Sequence, residues 1–344
     1  MTTARRRSLD RLRRDRRFQD KLALLELVEP RGDDRLQLMF TCCHPALVRE
    51  AQLALTLRAV CGFTTAQIAH ALLASEAAVA QRIARARRKI TEASIPYRLP
   101  GAEELDARLG EVLTVLYLLF NEGYLSSGGE YPSQRDLAED AAWLTSQVVT
   151  LYPREPEPLG LLALMQLDLA RADARFSAAG ALVLLPAQDR ARWERGAIAD
   201  ATELIARAAA FGRPGPYQLQ AAIVACHAEA PSFAETDWTQ ILLLYDMLLA
   251  LAPSPVTRLN RAVALRQVAG PAAALAEVEL LASELEGYHL YHSIRGHLLI
   301  DLGQRAQARA ADLRALTLTR NPAEHALLTQ RVSGGEGGRT VMAT

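Results

Sequence analysis

"LALTLRAVCGFTTAQIAHALLASEAAVAQRIARARRKI" spans residues 53–90 and decides the fold of the N-terminal part of the chain. Its first eight residues, "LALTLRAV", are typical of a helix, and Gly62 follows where a helix terminator is expected. Thr64 and Gln67 have the spacing of a capping box, which predicts that a second helix, "AQIAHALL", starts here. Leu73 then belongs to the short turn that follows this helix.

A third helix, "EAAVAQRIARARRKI" at residues 76–90, follows Ser75, a good N-cap residue. Its apolar residues recur at steps of four, three and four, which predicts a buried stripe formed by Val79, Ile83, Ala86 and Ile90. Amide and basic side chains cover the rest of the surface, namely Gln81, Arg82, Arg85, Arg88 and Lys89. A short helix, a tight turn and a helix of this kind indicate a helix-turn-helix.

A helix-turn-helix inserts the N-terminal end of its second helix into the major groove of DNA. We therefore expect base contacts from Gln81 and Arg82, because glutamine and arginine form bidentate hydrogen bonds with adenine and guanine. Glu76 is a further candidate for a base contact, while later positions meet phosphate more often. The predicted DNA-binding residues are Ser75, Glu76, Gln81, Arg82, Arg85, Arg88 and Lys89.

The alternative interpretation is a solvated amphipathic helix whose charged face contacts nothing. Such faces normally mix both signs of charge, whereas this helix has no acidic residue between Glu76 and Glu92. DNA contact is therefore the favoured interpretation. Because many helix-turn-helices have glycine at the position of Leu73, we expect the turn to use another geometry or an altered register.

The composition of the 344 residues predicts an all-α protein, because good helix formers far outnumber β-branched and aromatic residues. The net charge of zero conceals an asymmetry: residues 1–100 carry a net charge of +9 and residues 101–344 a net charge of −9. This split indicates a polyanion partner for the first part only. A GC-rich genome would explain the high arginine content but not its clustering.

Several classes of protein are disfavoured by the sequence. No stretch is long and apolar enough to span a membrane, and the N-terminus has no secretory signal, so we expect a cytoplasmic protein. No phosphate-binding glycine loop or nucleophile elbow is evident, so neither an enzyme nor a cofactor is predicted. Glu122 in "FNEGY" is expected to be solvated or to cap a helix rather than to act in a carboxylate pair.

The cysteines and histidines lack the spacing of a metal site. Cys42 and Cys43 are adjacent and would point about 100° apart on a helix, whereas zinc ligands are separated by two to four residues. We expect buried thiols here and no metal, with redox sensing as the alternative. His289, His292 and His297 have no carboxylate at a suitable spacing, so core positions are expected for them.

The C-terminal extension starts near "YRLPGAEEL", residues 97–105, where proline and glycine coincide with the change in the sign of the charge. Residues 240–320 contain the most regular helix–turn–helix units, near the length of a tetratricopeptide repeat (TPR). We therefore expect a TPR-like solenoid after a less regular helical bundle. Its acidic groove favours a protein or peptide partner, or docking on the basic head; alternatively the extension only stabilises the protein.

Seven segments together resemble the extracytoplasmic-function (ECF) sigma factors of RNA polymerase that carry a long C-terminal TPR-like extension. In order along the chain they are "FTCCHPAL", "TLRAVCGFTTAQIAHALL", "EAAVAQRIARARRKI", "FNEGY", "GPYQLQAAIVACHA", "LAPSPVTRLNRAVAL" and "LTRNPAEHALLTQR". The resemblance implies a sigma region-four domain that reads the promoter −35 element. It also implies two partners, promoter DNA and core RNA polymerase.

The N-terminal "TTARRRSLDRLRRDRR" resembles the last helix of sigma domain two. The resemblance implies that the rest of that domain lies upstream, so we expect Met1 to be internal to a longer reading frame, or the chain to be a shorter regulator. The expected domains are a basic remnant with a linker at 1–32, a region-four domain at 33–98, a helical extension at 101–331 and a flexible tail at 332–344.

The sequence thus predicts a sigma-like factor in transcription initiation that performs no chemistry itself. Two alternatives stay open. One is a DNA-binding regulator that does not initiate transcription, and the other is a TPR-type interaction scaffold whose helix-turn-helix no longer binds DNA.

Overall fold

The computed structural model describes residues 34–92, 102–125 and 134–333 of the chain. These ranges contain seventeen α-helices and no β-strand, which confirms the all-α prediction. The chain divides into two compact units, Met1–Leu119 and Phe120–Thr344, called the first and second unit below. The predicted basic remnant at 1–32, the predicted boundary near residue 100 and nearly all of the predicted tail lie outside the described residues.

Within the described residues, the first unit contains five whole helices and most of a sixth, because the division falls inside α6. The six are α1 (Asp34–Cys42), α2 (Arg49–Ala59), α3 (Thr65–Ala71), α4 (Glu76–Glu92), α5 (Ala102–Asp106) and α6 (Leu109–Tyr124). The core forms where the apolar faces of α2, α3 and α4 meet, and Leu57, Ile68 and Val79 are fully buried there. Burying side chains of this size contributes about 1.5–3 kcal/mol each.

Arg108 joins the two ends of the first unit. Its guanidinium is buried, donates to the carbonyl oxygen of Phe40 at 2.9 Å and lies 3.5 Å from the Glu104 carboxylate. A buried arginine is stable only when its donors are used in this way. The start of α6 is therefore held against the end of α1.

Cys42 and Cys43 are buried, as the sequence predicted, whereas Cys61 and Cys226 are partly exposed. Burial raises the pKa of the Cys42 and Cys43 thiols to about 12. The thiolate is the form of cysteine that reacts, so neither side chain has the chemistry of a redox sensor at neutral pH.

In the part of the second unit that the structure describes, eleven whole helices follow the end of α6. They are α7 (Arg135–Leu151), α8 (Pro156–Leu169), α9 (Arg195–Ala209), α10 (Pro216–Glu229), α11 (Trp238–Leu251), α12 (Pro255–Ala269), α13 (Pro271–Glu279), α14 (Ala282–Leu285), α15 (His289–Asp301), α16 (Arg305–Leu318) and α17 (Pro322–Ser333). Short 3₁₀ turns lie between α8 and α9.

Helix α8 is the centre of the second unit, because it is apolar around most of its circumference and packs against α7, α9 and α10. Gly160 allows the closest of these crossings: a Cβ there would lie 2.6 Å from the backbone nitrogen of Gln218 in α10. Glu157 strengthens the same crossing, since its carboxylate accepts the amide N–H of Tyr217 at 3.0 Å. That interaction satisfies a free donor at the N-terminus of α10.

Helix starts recur at a fixed interval in the C-terminal part of the second unit. Helices α12 and α15 begin 34 residues apart, and so do α13 and α16. Helix α12 packs on α13, and α15 packs on α16. Each of these pairs is joined at a glycine with positive φ, which is +86° at Gly270 and +74° at Gly303.

Two buried side-chain pairs connect α17 to the preceding helices. His289 lies 2.9 Å from the Glu324 carboxylate, and Arg331 lies 2.7 Å from Asp312. His289 and His292 are buried, in agreement with the sequence prediction. Removing Asp312 would leave the charge of Arg331 buried without its partner, so this pair holds α17 in place.

Glu122 corrects one prediction. Only 5% of this residue is exposed, so the expectation of a solvated side chain is wrong. The physical reason is that α6 is apolar on most sides and is covered over much of its length, which leaves position 122 facing the protein interior. No helix in the described ranges is long and apolar enough to cross a membrane.

His227 allows the packing of the second unit to be tested. Its ring meets Trp238 edge-on at 5.1 Å, and its Nδ1 atom is buried without a hydrogen-bond partner among the described residues. Burial, with Arg171 and Arg190 nearby, lowers the pKa of His227 to about 4. The unfolded chain takes up this proton below about pH 6.5, whereas the folded protein does not, so stability is lost as the pH falls from about 6.5 to about 4.

We expect His227→Phe to reduce this loss, because phenylalanine fills the same space and takes up no proton. Between about pH 7 and about pH 5, the free energy of unfolding should fall by roughly 1–2 kcal/mol less in the variant than in the wild type. Urea unfolding followed by circular dichroism at both pH values measures the difference. Equal pH dependence in the two proteins would contradict the assigned environment of His227.

Candidate nucleic-acid interface

The turn after α2 is built by backbone hydrogen bonds around Gly62. This glycine has φ +75°, and the amide N–H of Phe63 donates to the carbonyl oxygen of Leu57 at 3.0 Å. Arg58 donates from Nη1 to the carbonyl oxygen of Phe63 at 2.8 Å. These contacts satisfy free groups at the end of α2 and direct the chain into α3.

The predicted capping box at Thr64 is confirmed. The amide N–H of Gln67 donates to Thr64 Oγ1 at 3.2 Å, and the amide N–H of Thr64 donates to Gln67 Oε1 at 2.9 Å. Phe63 and Ile68 occupy the flanking positions of a hydrophobic staple, and both are buried. The start of α3 is therefore fixed from both sides of the cap.

The turn between α3 and α4 has the ordinary left-handed geometry, so the expectation of another geometry or an altered register is wrong. Leu73 itself adopts the left-handed conformation, with φ 48°, where many helix-turn-helices have glycine. The amide N–H of Ala74 closes the end of α3 by donating to the carbonyl oxygen of Ala69 at 2.9 Å. A left-handed leucine costs roughly 1–2 kcal/mol, and the surrounding packing has to compensate for it.

Ser75 caps α4 as predicted, because its Oγ accepts the amide N–H of Ala78 at 3.2 Å. Three members of the predicted apolar stripe are buried, namely Val79, Ile83 and Ala86. Ile90 is half-buried and packs against the cluster of Leu47, Ala51, Leu55 and Ala86. The stripe fixes the rotation of α4 about its own axis, and hence which of its side chains face outward.

The structure brings five of the predicted DNA-binding residues onto one outward face of α4. At about 100° per residue, they occupy a sector of roughly 120° opposite the buried stripe. Gln81, Arg85, Arg88 and Lys89 are exposed, and Arg82 is half-exposed. Glu76 is exposed at the first turn but lies about 140° around the helix from Gln81, so it does not share this face. Ser75, which also belongs to the predicted set, lies just before α4, and its Oγ accepts the capping hydrogen bond from the amide N–H of Ala78.

The sequence prediction omitted Arg87, which is exposed on α4 but lies about 100° around the helix from Arg88, outside the predicted face. Its position between Ala86 and Arg88 in the sequence could have identified it, since every basic residue of this helix lies outside the apolar stripe. Within the described part of the chain, none of the five basic side chains of α4 has an ion-pair partner. The helix therefore presents a positive surface that no neighbouring carboxylate neutralises.

Comparison with known proteins assigns the helix-turn-helix. Residues 37–90 match the model of sigma-70, region 4, and residues 108–209 match a family of unknown function, DUF6596. An uncharacterized protein of Rhizobium meliloti (strain 1021) is 48% identical over 300 residues, which cover 87% of this chain and 71% of that protein. The chain belongs to the same family as this relative. No solved structure matches the chain.

This sigma-factor-like protein therefore carries a region-four helix-turn-helix. Helix α3 is the first helix of this motif, α4 is the second, and α2 packs against α4. Sigma-70 region 4 is a domain of transcription factors rather than of enzymes, and it implies a DNA-binding role in transcription. The DUF6596 match starts at Arg108 and ends at Ala209, the last residue of α9, so it includes residues of both units.

We expect Leu73→Gly to stabilise the sigma-factor-like protein, because glycine adopts the left-handed conformation without a steric cost. Part of the gain is offset by the greater freedom of glycine in the unfolded chain, which leaves about 0.5–1 kcal/mol. The measurement is chemical unfolding followed at the first unit, for example by hydrogen exchange of the α3 and α4 amides.

Leu73→Val is the matched control, since a β-branched residue tolerates positive φ poorly. It should destabilise the same helices. If the glycine variant is less stable than the valine variant, the assignment of a left-handed conformation to Leu73 is wrong.

Proposed function

We propose that this protein is a sigma-like factor in DNA-templated transcription initiation. In this proposal α4 reads −35-type promoter DNA, the chain binds core RNA polymerase in the cytoplasm, and the second unit regulates the activity. The observation that carries the proposal is the exposed, unpaired basic face of α4 on a helix-turn-helix that matches sigma-70 region 4.

Base reading is assigned to the N-terminal half of α4. Gln81 and Arg82 lie on the outward face, and their side chains match the hydrogen-bonding edges of adenine and guanine in the major groove. The neighbouring Ala77 and Ala80 are exposed and small, so they allow the helix to approach the bases closely. Glu76 lies off this face, and a contact from it to cytosine requires the first turn to point into the groove.

Phosphate binding is assigned to the C-terminal half of α4. Arg85, Arg88 and Lys89 share the outward face with Gln81, one to two turns further along the helix. Side chains at this distance from the groove floor reach the backbone on either side of it. Their charges have no intramolecular partner among the described residues, so no ion pair has to break when DNA binds.

Two substitutions distinguish base contacts from phosphate contacts. Arg82→Ala should reduce the preference for a cognate over an unrelated promoter fragment by about 1–3 kcal/mol, because a bidentate base contact is lost. Lys89→Ala should weaken binding to all fragments alike and lower the slope of log K against log salt by about one unit. Fluorescence anisotropy over a series of salt concentrations measures both effects.

Arg305→Ala is the matched control, because Arg305 is exposed at the start of α16 in the second unit. This substitution removes one positive charge, as the other two do. It should change neither the preference nor the salt slope. If Arg82→Ala and Lys89→Ala also leave both quantities unchanged, the assignment of the DNA-binding face is wrong.

We further propose that the C-terminal part of the second unit is a TPR-like solenoid. The 34-residue interval between equivalent helix starts supports this proposal, since 34 residues is the length of a TPR. The glycine turn within each helix pair supports it as well. The net charge of −9 over residues 101–344 favours a basic protein or peptide, rather than DNA, as the partner of this region.

A further inference from the structure

A cavity of about 270 Å³ lies in the second unit, and every residue that lines it falls within the DUF6596 match. The ends of α6, α7 and α8 and the irregular segment before α9 enclose it. Its lining combines three arginines, Arg135, Arg175 and Arg192, and one carboxylate, Asp173, with apolar side chains that include Leu169, Ala172 and Phe176. Its volume is just below the range of about 300–1,000 Å³ that is typical of small-molecule sites, and a cavity of about 150 Å³ is enough for one benzene ring.

The arginines around the cavity differ in their partners. Arg135 is neutralised, because its guanidinium lies 2.6 Å from Asp173, 2.7 Å from Glu139 and 3.7 Å from Glu194. Arg175 and Arg192 have no carboxylate partner in the described ranges of the chain. The three carboxylates equal the three arginines in number, but none of them is paired with Arg175 or Arg192, so these two guanidiniums keep donors for a ligand.

Arg175 is held in a fixed orientation. Its guanidinium stacks on the ring of Tyr124 at 3.7 Å, and its Nη1 donates to the backbone carbonyl oxygen of Tyr124 at 2.8 Å. The ring of Tyr124 is itself fixed, because it stacks on Phe120 at 5.5 Å. Nε and Nη2 of Arg175 make no hydrogen bond with any described residue. A fork held in this way suits a planar or tetrahedral oxyanion, because little conformational entropy is lost on binding.

Arg192 supplies a second, more adaptable charge at the rim. It ends the 3₁₀ turn Arg190–Arg192 and is exposed. The apolar residues Leu169, Ala172 and Phe176 line the same cavity and offer contact area for an uncharged group. We propose that the cavity binds a small organic anion whose carboxylate or phosphate group lies between Arg175 and Arg192 and whose apolar body contacts this surface.

The experiment uses the full chain and four probes of related structure. Benzoate and phenyl phosphate carry an anion and a ring, benzamide carries the ring without the charge, and inorganic phosphate carries the charge without the ring. Ligand-observed NMR titration should give saturable binding of benzoate or phenyl phosphate with a Kd on the order of 1 mM, as expected of so small a ligand. The tighter of the two identifies the oxyanion, and benzamide and inorganic phosphate should bind much more weakly.

Two variants locate the binding. Arg192→Gln should weaken it about tenfold, because one charge-assisted hydrogen bond is lost. Arg195→Gln, three residues further on and outside the cavity lining, removes the same charge and should leave the affinity unchanged. Ala172→Phe should abolish binding by filling the cavity, and unchanged far-UV circular dichroism of each variant shows that the fold is retained.

The proposal is overturned if neither anion binds saturably, if benzamide binds as well as benzoate, or if Arg192→Gln and Arg195→Gln have the same affinity. It stands apart from the proposed function, because binding is measured without DNA or polymerase. Failure of DNA binding by α4 would leave it intact, and failure of anion binding would leave the assignment of α4 intact.

Discussion

The packing of one apolar stripe determines the rest of the interface. Val79, Ile83 and Ala86 turn one side of α4 toward α2 and α3, so the opposite side has to face solvent. The basic residues are placed there by the periodicity of the helix alone. A substitution that rotated α4 by one residue would move the charged face by about 100° and bury part of it, at a cost that the unit could not tolerate. The same three side chains thus stabilise the unit and determine which residues α4 presents to solvent.

Local chemistry made the helix-turn-helix predictable from sequence. The cap at Thr64 and the cap at Ser75 involve residues three positions apart, so their spacing can be recognised directly. Leu73 was misjudged for the converse reason. Its left-handed conformation is imposed by the two helices that it joins, whose packing overrides the preference of the residue itself. Propensity predicts glycine there, but the fixed caps on either side leave leucine no other conformation.

Contacts between distant residues explain what the sequence did not reveal. Glu122 is buried, and no spacing within "FNEGY" predicts this burial. The cavity in the second unit joins Tyr124, Arg175 and Arg192, which are separated by up to 68 residues. No periodic pattern links such positions, and arginines in an arginine-rich chain do not stand out. The regular interval between α12 and α15 was partly visible because the helix–turn–helix units there are local.

Mapping of transcript ends with purified components directly tests whether the chain acts as a sigma-like initiation factor. Core RNA polymerase, with or without this chain, would transcribe fragmented genomic DNA, and the 5′ ends of the products would be sequenced. We expect new 5′ ends that require the chain and share a sequence element at the −35 position. With the Arg82→Ala variant, this shared element should be less well defined than with the wild type. If the chain adds no 5′ ends to those made by core polymerase alone, it does not act as a sigma-like initiation factor.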